Sequence, residues 1–298
     1  MSWYIDPVMP KGYWGEVTAT LVWCEEKYQW SKYLAEPVNS ISNIMFLALA
    51  TFGVHWTIKA RLPIAFVGCF LGIGLIGMGS FLFHATLLWS MQACDELPMI
   101  YTTCIFSWAV FQAGQPRQFR LILPFLIFAF IGGYTALYFL NKENTLLHQL
   151  TYAALQISST LRVYNLLSSS PTSALSQKGG SQALVRAQIS KLYWTSVACF
   201  VAGFTAWNID NIWCQTLRHT RRTVLGPVFG VLLEGHAWWH LLTGYGAYAA
   251  GLAGAFLIGS IEESPDTFKL AHAGPFKVPY LVRGKPDSAD IIKNGKAQ

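Results

Sequence analysis

Apolar residues run through this chain in blocks of about 20, the length of helix that crosses the hydrocarbon core of a bilayer. Seven such blocks are read near 37–58, 63–88, 92–113, 120–140, 144–167, 189–209 and 225–259. The last is long enough to tilt or to project beyond the hydrocarbon. Polar punctuation separates them: RLP at 61–63, GQPR at 114–117, NKEN at 141–144 and the serine-rich stretch 168–182. This pattern predicts an all-α polytopic membrane protein, a bundle of seven transmembrane helices. It divides the chain into an N-terminal segment 1–36, a membrane domain 37–259 and a polar tail 260–298. The tail and the connection between the fifth and sixth helices are expected to be mobile and unstructured.

Composition agrees with the pattern. Of 298 residues, 53% are hydrophobic and only 12% charged, and the mean hydropathy is +0.36, which excludes a soluble domain of this size. The first thirty residues lack a basic stretch followed by an apolar one, so no cleaved signal peptide is expected and the first span serves as its own targeting signal. A lumenal N-terminus and cytosolic C-terminus place 14 of the 21 Lys and Arg on the cytosolic side, as the positive-inside rule requires. The cluster Arg218, Arg221 and Arg222 runs against that orientation. The net charge of +6 then belongs mostly to loops beside anionic headgroups, and a nucleic-acid partner has no support.

Within this topology the unusual residues converge. Ser80 and His84 are four apart near the lumenal end of the second span, Asp95 opens the third, and His236 and His240 are four apart in EGHAWWHLLTG, about three turns into the seventh. Residues four apart share a helix face, so three imidazoles from two helices aim at one point. Three histidines with an open fourth position form a zinc centre of the catalytic kind. Each piece alone also has a plainer reading. His84 can be a packing residue, Ser80 a small residue at a helix contact, and Asp95 a helix cap. It is their common depth that favours a site, because ionisable groups inside a membrane are costly, roughly 3 kcal/mol or more at mid-depth. Cys24 and Cys214 both fall in lumenal segments, an oxidising compartment, and are read as a disulfide. Cys69, Cys94, Cys104 and Cys199 are read as small apolar packers. Glu234 is expected to face away from the metal and to pair elsewhere, and Trp238 and Trp239 to pack against neighbouring helices. Asp210 and Asn208 either orient a histidine or cap the sixth helix. His148 receives no role.

The stretches GYWGEVTATLVWCEE (12–26), YLAEPVNSISN (33–43), GMGSFLFHATL (77–87), QACDELPMIY (92–101), AWNIDNIWCQTLR (206–218) and HAWWHLLTG (236–244) together resemble the alkaline ceramidases, in order and over about residues 12–250. The resemblance implies a seven-helix zinc amidase of the endoplasmic reticulum or Golgi membrane. Such an enzyme cleaves ceramide, or its dihydro and phyto forms, to a sphingoid base and a fatty acid, with the bilayer and its lipid substrate as partners and no obligate protein partner. It assigns zinc to His84, His236 and His240, and catalytic roles to Ser80 and Asp95. It also implies a calcium site in the N-terminal segment, where Trp23, Glu25 and Glu36 match but Val22 and Lys27 stand in place of an aspartate and an asparagine. Either Lys27 pairs with Glu25 or Glu36 and substitutes for the ion, or it points outward and calcium binds feebly. A different class, a seven-helix zinc-containing receptor-like protein on the general plan of the adiponectin receptors, is the alternative reading.

Overall fold

The computed structural model describes residues 11–170, 173–178 and 180–284. A mainly irregular N-terminal segment leads into the short helix α1 (Pro37–Ser42) and then α2 (Ile44–Lys59), α3 (Ala65–Thr86), α4 (Trp89–Phe111), α5 (Arg117–Leu140), α6 (Thr145–Leu167) and α7 (Gln182–Ile212). A broken stretch follows, made of α8 (Cys214–Thr220), a π-helical turn (Arg221–Leu225), α9 (Gly226–Gly230) and a 3-10 turn (Val231–Leu233). The chain then enters α10 (Gly235–Glu262) and closes with the strands β1 (Phe268–Ala273) and β2 (Val278–Arg283). All seven blocks read from the sequence are helical. Among the described residues, four stretches are long and apolar enough to cross a membrane by length and composition alone: Pro37–Lys59, Ala65–Thr86, Arg117–Leu140 and Cys214–Glu262.

Helix α10 forms the centre of the bundle and packs against α7, α2 and α3. Its run of small residues, GYGAYAAGLAGAF, lets Phe66, Phe70 and Phe106 press against the backbone at Gly251 and Gly254, and Tyr248 and Phe256 are fully buried there. Helix α5 is its opposite. Phe125 and Phe128 are 76% and 77% exposed, as suits a helix whose outer face meets lipid rather than water. Helices α3 and α4 approach closely at Gly79. A Cβ on Gly79 would collide with the Cys94 carbonyl and crowd the Asp95 amide, so glycine at this position brings Ser80 and Asp95 close together.

The seventh helix starts later than its apolar run suggests. Gly226 and Pro227, Gly230 and Gly235 interrupt regular hydrogen bonding, and the Gly235 amide donates to Asp210 Oδ1 at 3.1 Å. Asp210 on α7 therefore caps the start of α10, and His236 and His240 occupy its first two turns rather than lying three turns in. Asn208 bonds back to the Phe204 carbonyl. Neither residue orients a histidine.

The expectation of an unstructured tail fails over residues 260–284. Helix α10 continues to Glu262, and β1 and β2 pair antiparallel with Leu270 opposite Leu281. A two-stranded hairpin is marginal by itself, and packing supplies what is missing. Phe268 and Leu281 are buried, Tyr280 lies on Trp56 with ring centroids 3.9 Å apart, and Tyr248 donates to the Pro279 carbonyl at 2.5 Å. Arg283 forms a two-pronged pair with Glu263, at 2.7 and 2.6 Å. The rest of the tail reading, residues 285–298, lies outside the described residues. The connection after α6 is likewise less free than its serines suggest, since Leu175 is fully buried.

At the opposite end the N-terminal segment lies across the mouth of the bundle. Leu87 terminates α3 in a left-handed conformation, φ 51°, and its carbonyl accepts from Thr18 and Ala19 at 3.1 and 3.0 Å. Gln92 on α4 clasps the Thr20 amide at 2.9 Å. Cys24 is joined to Cys214 by a disulfide, Cα atoms 5.4 Å apart, across a separation of 190 residues. Breaking it by Cys24→Ser and Cys214→Ser is expected to cost about 3 kcal/mol, measured as a lowered unfolding temperature in detergent.

Candidate metal centre

His84 sits in the last turn of α3, where the helix carbonyls run out of intrahelical partners. Its carbonyl accepts from the Glu36 amide at 2.9 Å, and its ring Nδ1 donates to Glu36 Oε2 at 2.5 Å. Glu36 thus grips His84 by backbone and side chain together. A proton on Nδ1 leaves the Nε2 lone pair free, which is how an outer carboxylate fixes a metal-ligating tautomer.

His240 is set in the same way by a residue that sequence reasoning missed. Ser42 Oγ has one proton and gives it to the Asn39 carbonyl at 2.8 Å. Its contact with His240 Nδ1, also 2.8 Å, is therefore one in which the imidazole N–H donates. Once again Nε2 is left bare, 3.4 Å from Ser80 Oγ. The signal was the polar run NSISN at the head of an apolar span. His236 is held by its faces: Trp23 stacks on it with centroids 4.2 Å apart and planes 21° off parallel.

The three histidines are buried, and a ring nitrogen from each lies within 4.8 Å of the others. Nε2 of His84 and Nε2 of His236 are 3.2 Å apart. Two nitrogens bound to one tetrahedral zinc would stand about 3.3 Å apart. Three buried imidazoles facing one another would be expensive without a cation among them, so the donor set fits zinc. Ser80 lies on this wall, one turn before His84, and its hydroxyl donates to the Asp95 carboxylate on α4. The neighbouring Glu96 turns away, accepting from Gln92 at 3.0 Å and Tyr138 at 2.7 Å.

The remaining residues singled out from the sequence have partners of their own. Glu234 pairs with Arg221 and faces away from the histidines. Arg218 Nε donates to the Cys24 carbonyl at 2.6 Å, and Arg222 pairs with Glu26, so the arginine cluster is spent on the N-terminal segment. Trp238 donates to the Leu232 carbonyl at 2.9 Å and Trp239 packs beside Trp207. His148 is hydrogen-bonded to the Tyr134 hydroxyl at 3.2 Å.

Calcium does not fit the place that the family resemblance gives it. Lys27 Nζ is there, 2.7 Å from the Trp23 carbonyl, 2.6 Å from the Glu25 carbonyl and 2.5 Å from Glu36 Oε1. The Glu25 carboxylate looks elsewhere, accepting from the amides of Val38 at 2.7 Å and Asn39 at 2.8 Å. Val22 offers no oxygen. Of the two dispositions open to Lys27, the structure has the inward one, with the ammonium buried. Burial by itself would raise the Glu36 carboxyl, but Lys27 and His84 overcome it and hold Glu36 far below the usual carboxylate range.

These features define a helical membrane protein with a buried three-histidine cluster, and comparison with known proteins gives its family. The family model described as Ceramidase matches residues 15–282, and the chain belongs to that family. It is similar to alkaline ceramidase 3 of Mus musculus, 38% identical over 80% of this chain and 83% of the relative. It is also similar to alkaline ceramidase YPC1 of Saccharomyces cerevisiae, 32% identical over 80% and 76%, and to an alkaline ceramidase of Arabidopsis thaliana, 26% identical over 80% and 83%.

Because Glu36 fixes the His84 tautomer, Glu36→Gln is expected to weaken zinc retention about 10- to 100-fold. Competition with a graded series of chelators, followed by metal analysis, measures it.

Proposed function

We propose that this chain is a zinc-dependent intramembrane amidase that hydrolyses ceramide, or its dihydro or phyto form, to a sphingoid base and a free fatty acid. Family membership selects the amidohydrolase over the receptor-like alternative. The observation that carries the metal chemistry is the convergence of His84, His236 and His240, each buried and two of them with Nδ1 committed to an oxygen acceptor.

His84, His236 and His240 would hold zinc through ring nitrogens. Bound there, zinc polarises the amide carbonyl and brings the pKa of water near 7. Asp95 is the general base, taking a proton onto its carboxylate from the attacking water and returning it to the leaving sphingoid amine. Ser80 stands between Asp95 and the histidines: its hydroxyl donates to the Asp95 carboxylate until that group takes the water's proton, and is then released to donate to the oxygen that becomes negative as the amide carbon turns tetrahedral. The N-terminal segment covers the polar end of the site, so a two-tailed lipid amide enters from the bilayer side, between helices.

In this reading all seven long helices span the membrane, including α4, α6 and α7, whose inward polar residues lower their hydropathy. The N-terminal segment lies in the lumen of the endoplasmic reticulum or Golgi and the C-terminal hairpin in the cytosol. The disulfide supports this orientation, because it needs an oxidising compartment.

Purification in detergent, zinc analysis, and assay of sphingoid-base release from ceramide, dihydroceramide and phytoceramide test the proposal. About one zinc per chain is expected. His84→Ala should abolish release. Asp95→Asn should lower turnover by about 10²- to 10⁴-fold, and Ser80→Ala by about 10²-fold. Active zinc-free protein, or an unimpaired His84→Ala variant, overturns it.

A further inference from the structure

The buried pocket around Lys27 has the form of a cation site. Three oxygens, from the Trp23 and Glu25 carbonyls and the Glu36 carboxylate, converge on one point. An ammonium has three N–H donors and no acceptor, and here each N–H has its own oxygen at 2.5–2.7 Å. The Glu36 carboxylate is equally full. Oε1 receives Lys27 and the Trp23 amide at 3.3 Å, and Oε2 receives His84 and Asn39 Nδ2 at 3.2 Å. Calcium requires six to eight oxygens at 2.3–2.6 Å, and the lysine nitrogen occupies the volume such an ion would need.

We propose that Lys27 is a tethered cation that permanently replaces calcium in this chain. It holds Glu36 against His84 and so makes the metal centre independent of free calcium. Lys27 touches neither the histidines nor the space between them, so it is a positioning residue acting through Glu36. The arrangement has a functional implication. A centre braced by a dissociable ion follows the calcium content of its compartment, whereas one braced by a side chain on the same polypeptide does not.

The proposal rests on His84 being a metal ligand, and its test includes a readout that needs neither zinc nor activity. Wild type, Lys27→Met and the double variant Val22→Asp, Lys27→Asn are purified in detergent and desalted to remove loosely held calcium. Zinc content, bound calcium, unfolding temperature and ceramide turnover are then measured with no added divalent ion, with about 1 mM CaCl2 and with about 1 mM MgCl2, concentrations that fill weak calcium sites. Wild type is expected to bind no calcium and to show the same unfolding temperature and turnover throughout. Lys27→Met should lose at least about tenfold in turnover, with no recovery in calcium, since methionine and Val22 supply neither charge nor oxygen. The double variant should be similarly impaired without calcium and restored by CaCl2 but not by MgCl2, a rescue that a merely structural lysine would not permit.

Calcium binding to wild type with a raised unfolding temperature would overturn the proposal. So would a Lys27→Met variant matching wild type in zinc content and turnover, or a double variant indifferent to calcium. Should Lys27→Met fail to fold, the wild-type and double-variant titrations decide alone. A wild type lacking zinc would sink the amidase reading, while its unfolding response to CaCl2 would still report on Lys27.

Discussion

A single chain of buried charge, Lys27 to Glu36 to His84, carries the organisation of this molecule. Taking an ammonium and a carboxylate out of water is costly, and such a pair survives only if its remaining hydrogen-bonding capacity is also satisfied. Here the three donors of Lys27 and both oxygens of Glu36 are filled. A fully satisfied polar network in a low-dielectric interior is rigid. That rigidity is transmitted to the imidazole of α3, and it ties the irregular N-terminal segment to the bundle.

The features most legible in the sequence were those governed by local rules. Bilayer thickness sets the length of an apolar block, so the seven long helices could be found, and the i, i+4 rule brought His236 to His240 and Ser80 to His84. What escaped depends on contacts between distant residues. The start of α10 is fixed by Asp210 from another helix, and no windowed hydropathy registers a capping bond across 25 residues. The strands FKLAHA and VPYLVR are too short and too charged to stand out, and they fold because Phe268 and Leu281 find a buried surface. Ser42 was missed because a lone serine at a helix end has many meanings, and only the spent proton on its hydroxyl gives it one here.

The arginine cluster shows how a charge count can mislead when its members are not free. Arg218 and Arg221 are buried and Arg222 is paired, all against the N-terminal segment or Glu234. Positive charge consumed by carbonyls and carboxylates exerts little pull toward anionic headgroups. The three arginines thus lie beside the N-terminal segment without contradicting the orientation that the loop charges favour.

The disulfide and the histidines also impose an order of events on biosynthesis. Residues 11–36 are made before any of the helices, yet the cysteine that latches them comes 190 residues after Cys24, and two of the three imidazoles arrive later still. Contacts this distant along the chain form late. Until α10 has been inserted, Glu36 and His84 have no centre to complete. On the proposed mechanism a nascent or truncated chain is therefore hydrolytically inert, and consumption of membrane lipid begins only after the last helix is in place.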